Sequence, residues 1–125
     1  MKRETVLIVE DDAAVRRMYR AALAFAGYDV VEAHDGPAAL LILEQRTADI
    51  VVLDLILPTL NGIAVQQEIA AHASTRHIPI VIVTGSDMNL AGINVPCVLR
   101  KPISPEQLVT TVRTCLSAGA SSSLT

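Results

Sequence analysis

Ile50-Val51-Val52-Leu53-Asp54-Leu55-Ile56-Leu57-Pro58-Thr59-Leu60-Asn61-Gly62 is the stretch that decides the fold. Its first four residues are apolar, mostly β-branched and without polar alternation, the mark of a strand buried on both faces. Asp54 ends the run, and a carboxylate at the tip of a buried strand is costly unless something uses it. Pro58 and Asn61-Gly62 then break the chain into a loop before a new helical pattern.

Working outward, Val6-Leu7-Ile8-Val9 is a second such run, and it leads into Glu10-Asp11-Asp12. Residues 78–83 form a third, ending at Thr84-Gly85. Shorter or more polar runs at 28–33 and 97–99 fit sheet edges, and the latter passes through Arg100 into Lys101-Pro102. Acidic groups and a lysine at strand ends point to a phosphoryl or metal site.

Helical patterns separate the strands. Val15, Met18, Tyr19, Ala22, Leu23 and Ala26 form an apolar stripe, with Arg16, Arg17 and Arg20 on the opposite face and Gly27 as the stop. Asp35-Gly36-Pro37 opens a second helix that buries Leu40 and Leu43 and ends near Thr47. Asn61-Gly62 opens a third, running to about His72. Ser104-Pro105-Glu106-Gln107 has capping-box spacing with proline in the first turn, and Leu108, Val112, Cys115 and Leu116 mark the core stripe that follows. Residues 86–94 support at most a short helix.

Strands alternating with helices predict an α/β domain with a doubly wound parallel sheet. Such sheets bind ligands beyond the carboxyl ends of their strands, where Glu10, Asp11, Asp54, Thr84 and Lys101 all fall. Crowded carboxylates repel one another unless a cation neutralises them, and Mg²⁺ suits an oxygen-ligand site that shares a phosphate, with Mn²⁺ as a substitute. An aspartate there can attack phosphorus while Lys101 absorbs the transferred charge and the Thr84 hydroxyl meets a phosphoryl oxygen. Asp12 reads instead as a helix cap.

The chain has 125 residues, 51% hydrophobic but only 2% aromatic, enough for one aliphatic core. A net charge of −3 gives no basic surface for nucleic acid, so direct nucleic-acid binding is not expected. No apolar run approaches membrane-spanning length and three acids interrupt the amino-terminal one, so a cytoplasmic location with no membrane contact is expected. Cys97 and Cys115 lack metal-type spacing and read as separate buried hydrophobes in a reducing compartment. His34, His72 and His77 read as surface residues, and the three arginines as a solvated face or a docking surface for a phosphodonor.

Glu10-Asp11, Asp54 with Pro58 and Gly62, Thr84-Gly85 and Lys101-Pro102, in this order over about residues 5–116, resemble the receiver domain of two-component response regulators (the CheY-like superfamily). The resemblance implies a flavodoxin-like (β/α)5 fold with strand order 2-1-3-4-5. It implies that Asp54 accepts a phosphoryl group from a sensor histidine kinase or histidine phosphotransfer protein. Mg²⁺ would be held by Asp11, Asp54 and the backbone carbonyl of Ile56, with Glu10 helping through water. Lys101 would contact the phosphoryl group, the Lys101-Pro102 bond would often be cis, and Thr84 would move to report phosphorylation to an unknown downstream effector. The domain would span 1–118 with a flexible tail at 119–125, act as a phosphoacceptor rather than an enzyme, and exist as a monomer or weak dimer.

The chain also departs from the family. Val98 stands where an aromatic switch residue is usual, and the 84–101 segment is short, so a shortened fourth helix region is expected. These two features leave a phosphorylation-independent pseudo-receiver as the alternative. An aspartyl-nucleophile phosphatase would need an acid at Ile56 and is not favoured. Ile56 and Ser86 flank the path of hydrolytic water in the family, and an apolar Ile56 predicts a persistent acyl phosphate.

Overall fold

The computed structural model describes residues 2–85 and 97–123. In chain order the elements are β1 (Thr5–Val9), α1 (Ala13–Phe25), β2 (Asp29–Ala33), α2 (Gly36–Gln45), β3 (Ile50–Asp54), α3 (Gly62–Ala71), β4 (Ile80–Thr84), β5 (Cys97–Arg100) and α4 (Pro105–Ser123). The strands form one five-stranded sheet, every neighbouring pair parallel as the sequence pattern predicts, in the order β2-β1-β3-β4-β5 that the family resemblance implies. The expected shortened fourth helix region and Ser86 lie outside the described residues.

Strand alternation sorts the core into two layers. Leu7, Val9, Val51, Leu53 and Ile82 face α2 and α3, where Ala39, Val65 and Ile69 meet them. Val6, Ile8, Val52, Val81 and Val83 face α1 and α4, where Tyr19, Leu23, Leu108 and Val112 meet them. The continuous apolar runs of β1, β3 and β4 are therefore required, because each residue enters one core or the other.

The helix boundaries follow from capping chemistry. Asp12 accepts from the N–H groups of Ala14 and Val15 at 2.9 and 3.0 Å, which fixes it as the α1 cap. Gly27, at φ 102°, ends α1 with its own N–H bonded to the Ala24 carbonyl and that of Tyr28 bonded to Leu23, both at about helix-closing distance. Asp35 caps α2 and Asn61 caps α3. Ser104 and Gln107 bond reciprocally, side chain to backbone, at 2.8 and 3.1 Å, so the predicted capping box is present at α4.

Several expectations need correction. Cys97 and Cys115 are joined in a disulfide and are not separate thiols. Cys97 on edge strand β5 turns toward the α1/α4 core, where Cys115 sits on α4 with Cα atoms 6.4 Å apart. Spacing along the chain, 18 residues, gave no hint of this, and the cysteines carry no support for a reducing compartment. The backbone of α4 is helical through Ser123. No proline follows Pro105, and extending a formed helix costs less than starting one. Met18, expected in the core stripe, is 41% exposed, and Phe25 at the end of α1 is 95% exposed.

The loop after β3 contains local strain. Thr59 has φ 68°, and the neighbouring Leu60 N–H reaches back to the Pro58 carbonyl at 2.7 Å in a three-residue turn. A β-branched residue is poorly suited to positive φ. Thr59→Gly is expected to raise unfolding free energy by about 1 kcal/mol, after the extra entropy glycine gives the unfolded chain. Urea titration checks this, and a destabilised variant contradicts it.

Candidate functional site

The sheet ends at a cleft built by the loops after β1, β3, β4 and β5. It lies where the chain, having run from β1 to β2, returns across the sheet to β3, the switch point at which doubly wound sheets bind ligands. Asp54, the last residue of β3, is buried, and each of its carboxylate oxygens has a fixed partner. Oδ1 accepts from the Ile56 N–H at 3.0 Å, and Oδ2 accepts from Lys101 Nζ at 2.9 Å. The backbone at Ile56 thus wraps the carboxylate, while the Ile56 side chain is 64% exposed and turned to solvent.

Gly62 makes this turn possible. A Cβ there would collide with the Asp54 carbonyl oxygen and Leu55 Cα, and the Gly62 N–H bonds the Leu55 carbonyl at 2.9 Å. The start of α3 consequently lies directly against the end of β3. Lys101 is positioned with similar economy: its N–H bonds the carbonyl of Thr84 at 2.7 Å, and a cis peptide bond joins it to Pro102. Thr84 is fully buried as the last residue of β4.

Glu10 and Asp11 come from the turn after β1. Carboxylate oxygens of Glu10, Asp11 and Asp54 all lie within 4.8 Å of one another. Glu10 is only 2% exposed; its Oε1 is 3.6 Å from Lys101 Nζ, and its Oε2 finds no hydrogen-bond partner among the described residues. Burial first, then the hydrogen bond and charge of Asp54, push the Glu10 carboxyl up to about 8, against the opposing pull of Lys101. Burial alone would lower the Lys101 ammonium, but its hydrogen bond to Asp54 and the nearby negative charges outweigh that and raise it. Burial also raises the Tyr19 phenol to about 12, with Glu10 and Asp54 adding to the effect.

An orphaned buried oxygen, three converging carboxylates and a raised carboxyl are what a hard divalent cation would relieve. The donor set fits Mg²⁺: oxygen only, few protein ligands, and Asp11 exposed so that water can complete the shell. Every site residue anticipated from the sequence therefore falls at this end of the sheet. Glu10, Asp11, Asp54 and Lys101 meet directly, Ile56 borders Asp54, and Thr84 anchors Lys101.

Sequence reasoning missed the use made of two arginines. Arg16 donates to the Glu10 carbonyl at 2.8 Å and to Glu32 Oε1 at 3.1 Å, and Arg20 donates to Glu32 Oε2 at 2.6 Å. Arg17, the third, is exposed and takes no part in this cluster. The signal was hidden because Glu32 is on β2, next to β1 in the sheet but distant in sequence. An open groove of about 530 Å³ adjoins the site, lined by residues that include Val15, Met18, Gly85, Lys101 and Ile103.

A five-stranded parallel sheet of this order, carrying an acidic triplet and a lysine at its carboxyl end, defines a receiver-type α/β domain. The response regulator receiver domain family matches residues 6–113, and the chain belongs to that family. It is a receiver domain of two-component signal transduction, a signalling module rather than a conventional enzyme, in a family whose members generally bind Mg²⁺.

The phosphate regulon transcriptional regulatory protein PhoB of Pseudomonas aeruginosa is 33% identical over 118 residues, covering 90% of this chain and 52% of the relative. The response regulator MprA of Mycobacterium avium is 34% identical over 116 residues, covering 89% and 50%. The chain thus spans about half the length of the curated relatives it matches. Chemotaxis response regulator CheY4 of Vibrio cholerae has the same fold, with a TM-score of 0.85 and 25% identity over 91% of this chain and 99% of that one. No helix among the described residues is long and apolar enough to cross a membrane.

Proposed function

We propose that Asp54 accepts a phosphoryl group from a phosphohistidine on a sensor kinase or histidine phosphotransfer protein, and that the acyl phosphate so formed alters the domain for a downstream effector. The observation that carries this is the Lys101 Nζ to Asp54 Oδ2 contact of 2.9 Å, beside an unpartnered oxygen of buried Glu10. A carboxylate oxygen of Asp54 attacks phosphorus, the phosphorus–nitrogen bond to the donor imidazole breaks, and the ring nitrogen keeps the electron pair. Lys101 then neutralises charge on the arriving group, an electrostatic role that needs little motion because its backbone is held by Thr84. The Ile56 N–H keeps the acceptor carboxylate oriented.

Glu10, Asp11, Asp54 and the backbone at Ile56 would hold Mg²⁺, or Mn²⁺ in its place. When bound, the ion supplies positive charge that lets the carboxylates coexist with a phosphoryl group. The groove beside Lys101 gives a donor protein access, with half-exposed Met18 as an apolar contact. In this reading Thr84, buried at the end of β4, responds to phosphorylation. Val98, 37% exposed on β5, leaves that strand without an aromatic switch. PhoB, among the named relatives, is a transcriptional regulatory protein, which supports an effector that controls transcription, reached through protein contacts rather than through direct binding of nucleic acid by this acidic domain.

Radiolabelled acetyl phosphate with Mg²⁺ should label the protein with a bond cleaved by neutral hydroxylamine, as an acyl phosphate requires. Label resistant to hydroxylamine would reject the proposal. Ile56→Asn is expected to speed loss of the label by about tenfold, because an amide can orient hydrolytic water where an exposed apolar side chain cannot. A decay rate equal to wild type contradicts that expectation.

A further inference from the structure

Arg16 touches neither Asp54 nor any candidate metal-ligating oxygen, yet it is the one arginine of α1 joined to the acidic loop. Its Nη1 donates to the Glu10 backbone carbonyl at 2.8 Å, and its Nε donates to Glu32 Oε1 at 3.1 Å. The Arg16 side chain is 19% exposed and that of Glu32 26%, so water competes weakly for both. Arg20 takes the second Glu32 oxygen at 2.6 Å, which leaves Glu32 little freedom to turn away. The result is a fixed relay from the β2 edge through one guanidinium to the peptide between Glu10 and Asp11. That peptide sets where both carboxylates point. A second restraint holds the same strand end, since the Glu10 N–H bonds the Ala33 carbonyl at 3.1 Å.

We propose that Arg16 is a positioning residue for the acidic centre, its Glu32-locked guanidinium clamping the Glu10 carbonyl so that Glu10 and Asp11 present their oxygens to a divalent cation. The inference rests on the Mg²⁺ assignment made above. It makes a prediction opposite in sign to simple electrostatics. Removing a cation near three carboxylates would by charge alone strengthen binding of a divalent ion. Loss of the clamp frees the Glu10-Asp11 peptide and weakens binding, as loss of a group that orients metal ligands commonly does by 10–100-fold, a range of about one to two orders of magnitude.

Calorimetric titration of the purified chain with MgCl₂ separates the two effects without any phosphorylation. Arg16→Ala is expected to raise the Mg²⁺ dissociation constant by about tenfold or more. Glu32→Gln, which keeps Arg16 but unlocks it, should shift it the same way by a smaller factor. Arg17→Ala removes an equal charge from the exposed face of the same helix and should leave affinity unchanged or slightly stronger. Mg²⁺ bound by Arg16→Ala as tightly as by wild type, or more tightly, overturns the proposal; so does an equal loss in Arg17→Ala. If Arg16→Ala does not fold, Arg16→Lys decides, because it keeps the charge but lacks the planar fork that spans the Glu10 carbonyl and Glu32: weakened binding supports the clamp and unchanged binding overturns it. Wild type that binds no Mg²⁺ would instead overturn the metal assignment itself.

Discussion

Lys101→Met is expected to slow phosphorylation of the domain by a small phosphodonor by about 10²–10³-fold while the fold persists. The substitution keeps an unbranched chain of similar length and removes only the ammonium that sits 2.9 Å from Asp54 Oδ2 and 3.6 Å from Glu10 Oε1. Two consequences act in the same direction. The transferred phosphoryl group loses its compensating charge, and Glu10, released from the one neighbour that favours its ionised form, holds its proton more tightly. Stability should change little by comparison, because the Lys101 side chain is 38% exposed and water screens its contribution. Stopped-flow or gel-based rates with acetyl phosphate, beside near-ultraviolet circular dichroism, check both halves. A rate within about threefold of wild type would remove Lys101 from the chemistry.

Glu10→Gln should stabilise the metal-free protein at alkaline pH and remove most of its response to Mg²⁺. The folded protein holds the Glu10 proton up to about pH 8, whereas the unfolded chain releases it near the ordinary value of 4.5. The folded state therefore binds more protons between those limits, and stability from this group, complete below the lower one, is lost as pH rises through the upper. A glutamine is neutral throughout and carries no such slope. The difference between variant and wild type should be small at pH 5 and grow to about 2–4 kcal/mol at pH 8.5 in the presence of a chelator. Urea unfolding at the two pH values measures it, and parallel profiles for the two proteins would contradict the assignment of Glu10 as a buried, uncompensated acid.

Much of the architecture was legible because it depends on short-range rules. Continuous aliphatic runs marked β1, β3 and β4, and Asp12, Asp35, Asn61 and the Ser104/Gln107 pair marked helix starts with donors that must be satisfied locally. The site was legible for a related reason: parallel strands deliver their carboxyl ends to one edge, so Glu10, Asp54, Thr84 and Lys101 had to share it. What remained hidden depends on side-chain direction across layers and on which side chains meet there. The Cys97–Cys115 bond requires that edge strand β5 face α4, which no spacing reveals. The Arg16–Glu32–Arg20 cluster requires that β2 lie beside β1 and that Glu32 point to the α1 side. Met18 belongs to the helical stripe in sequence, yet the packed face of α1 is narrow and centred on Tyr19 and Leu23, so it remains open to solvent.

Intact-mass spectrometry after incubation with acetyl phosphate, run with Mg²⁺ and with chelator and on both wild type and Asp54→Asn, tests the central claim most directly. Addition of a single phosphoryl group to wild type in Mg²⁺ only, and none to the variant, is the predicted result. No adduct on wild type, or an equal adduct on Asp54→Asn, would contradict it.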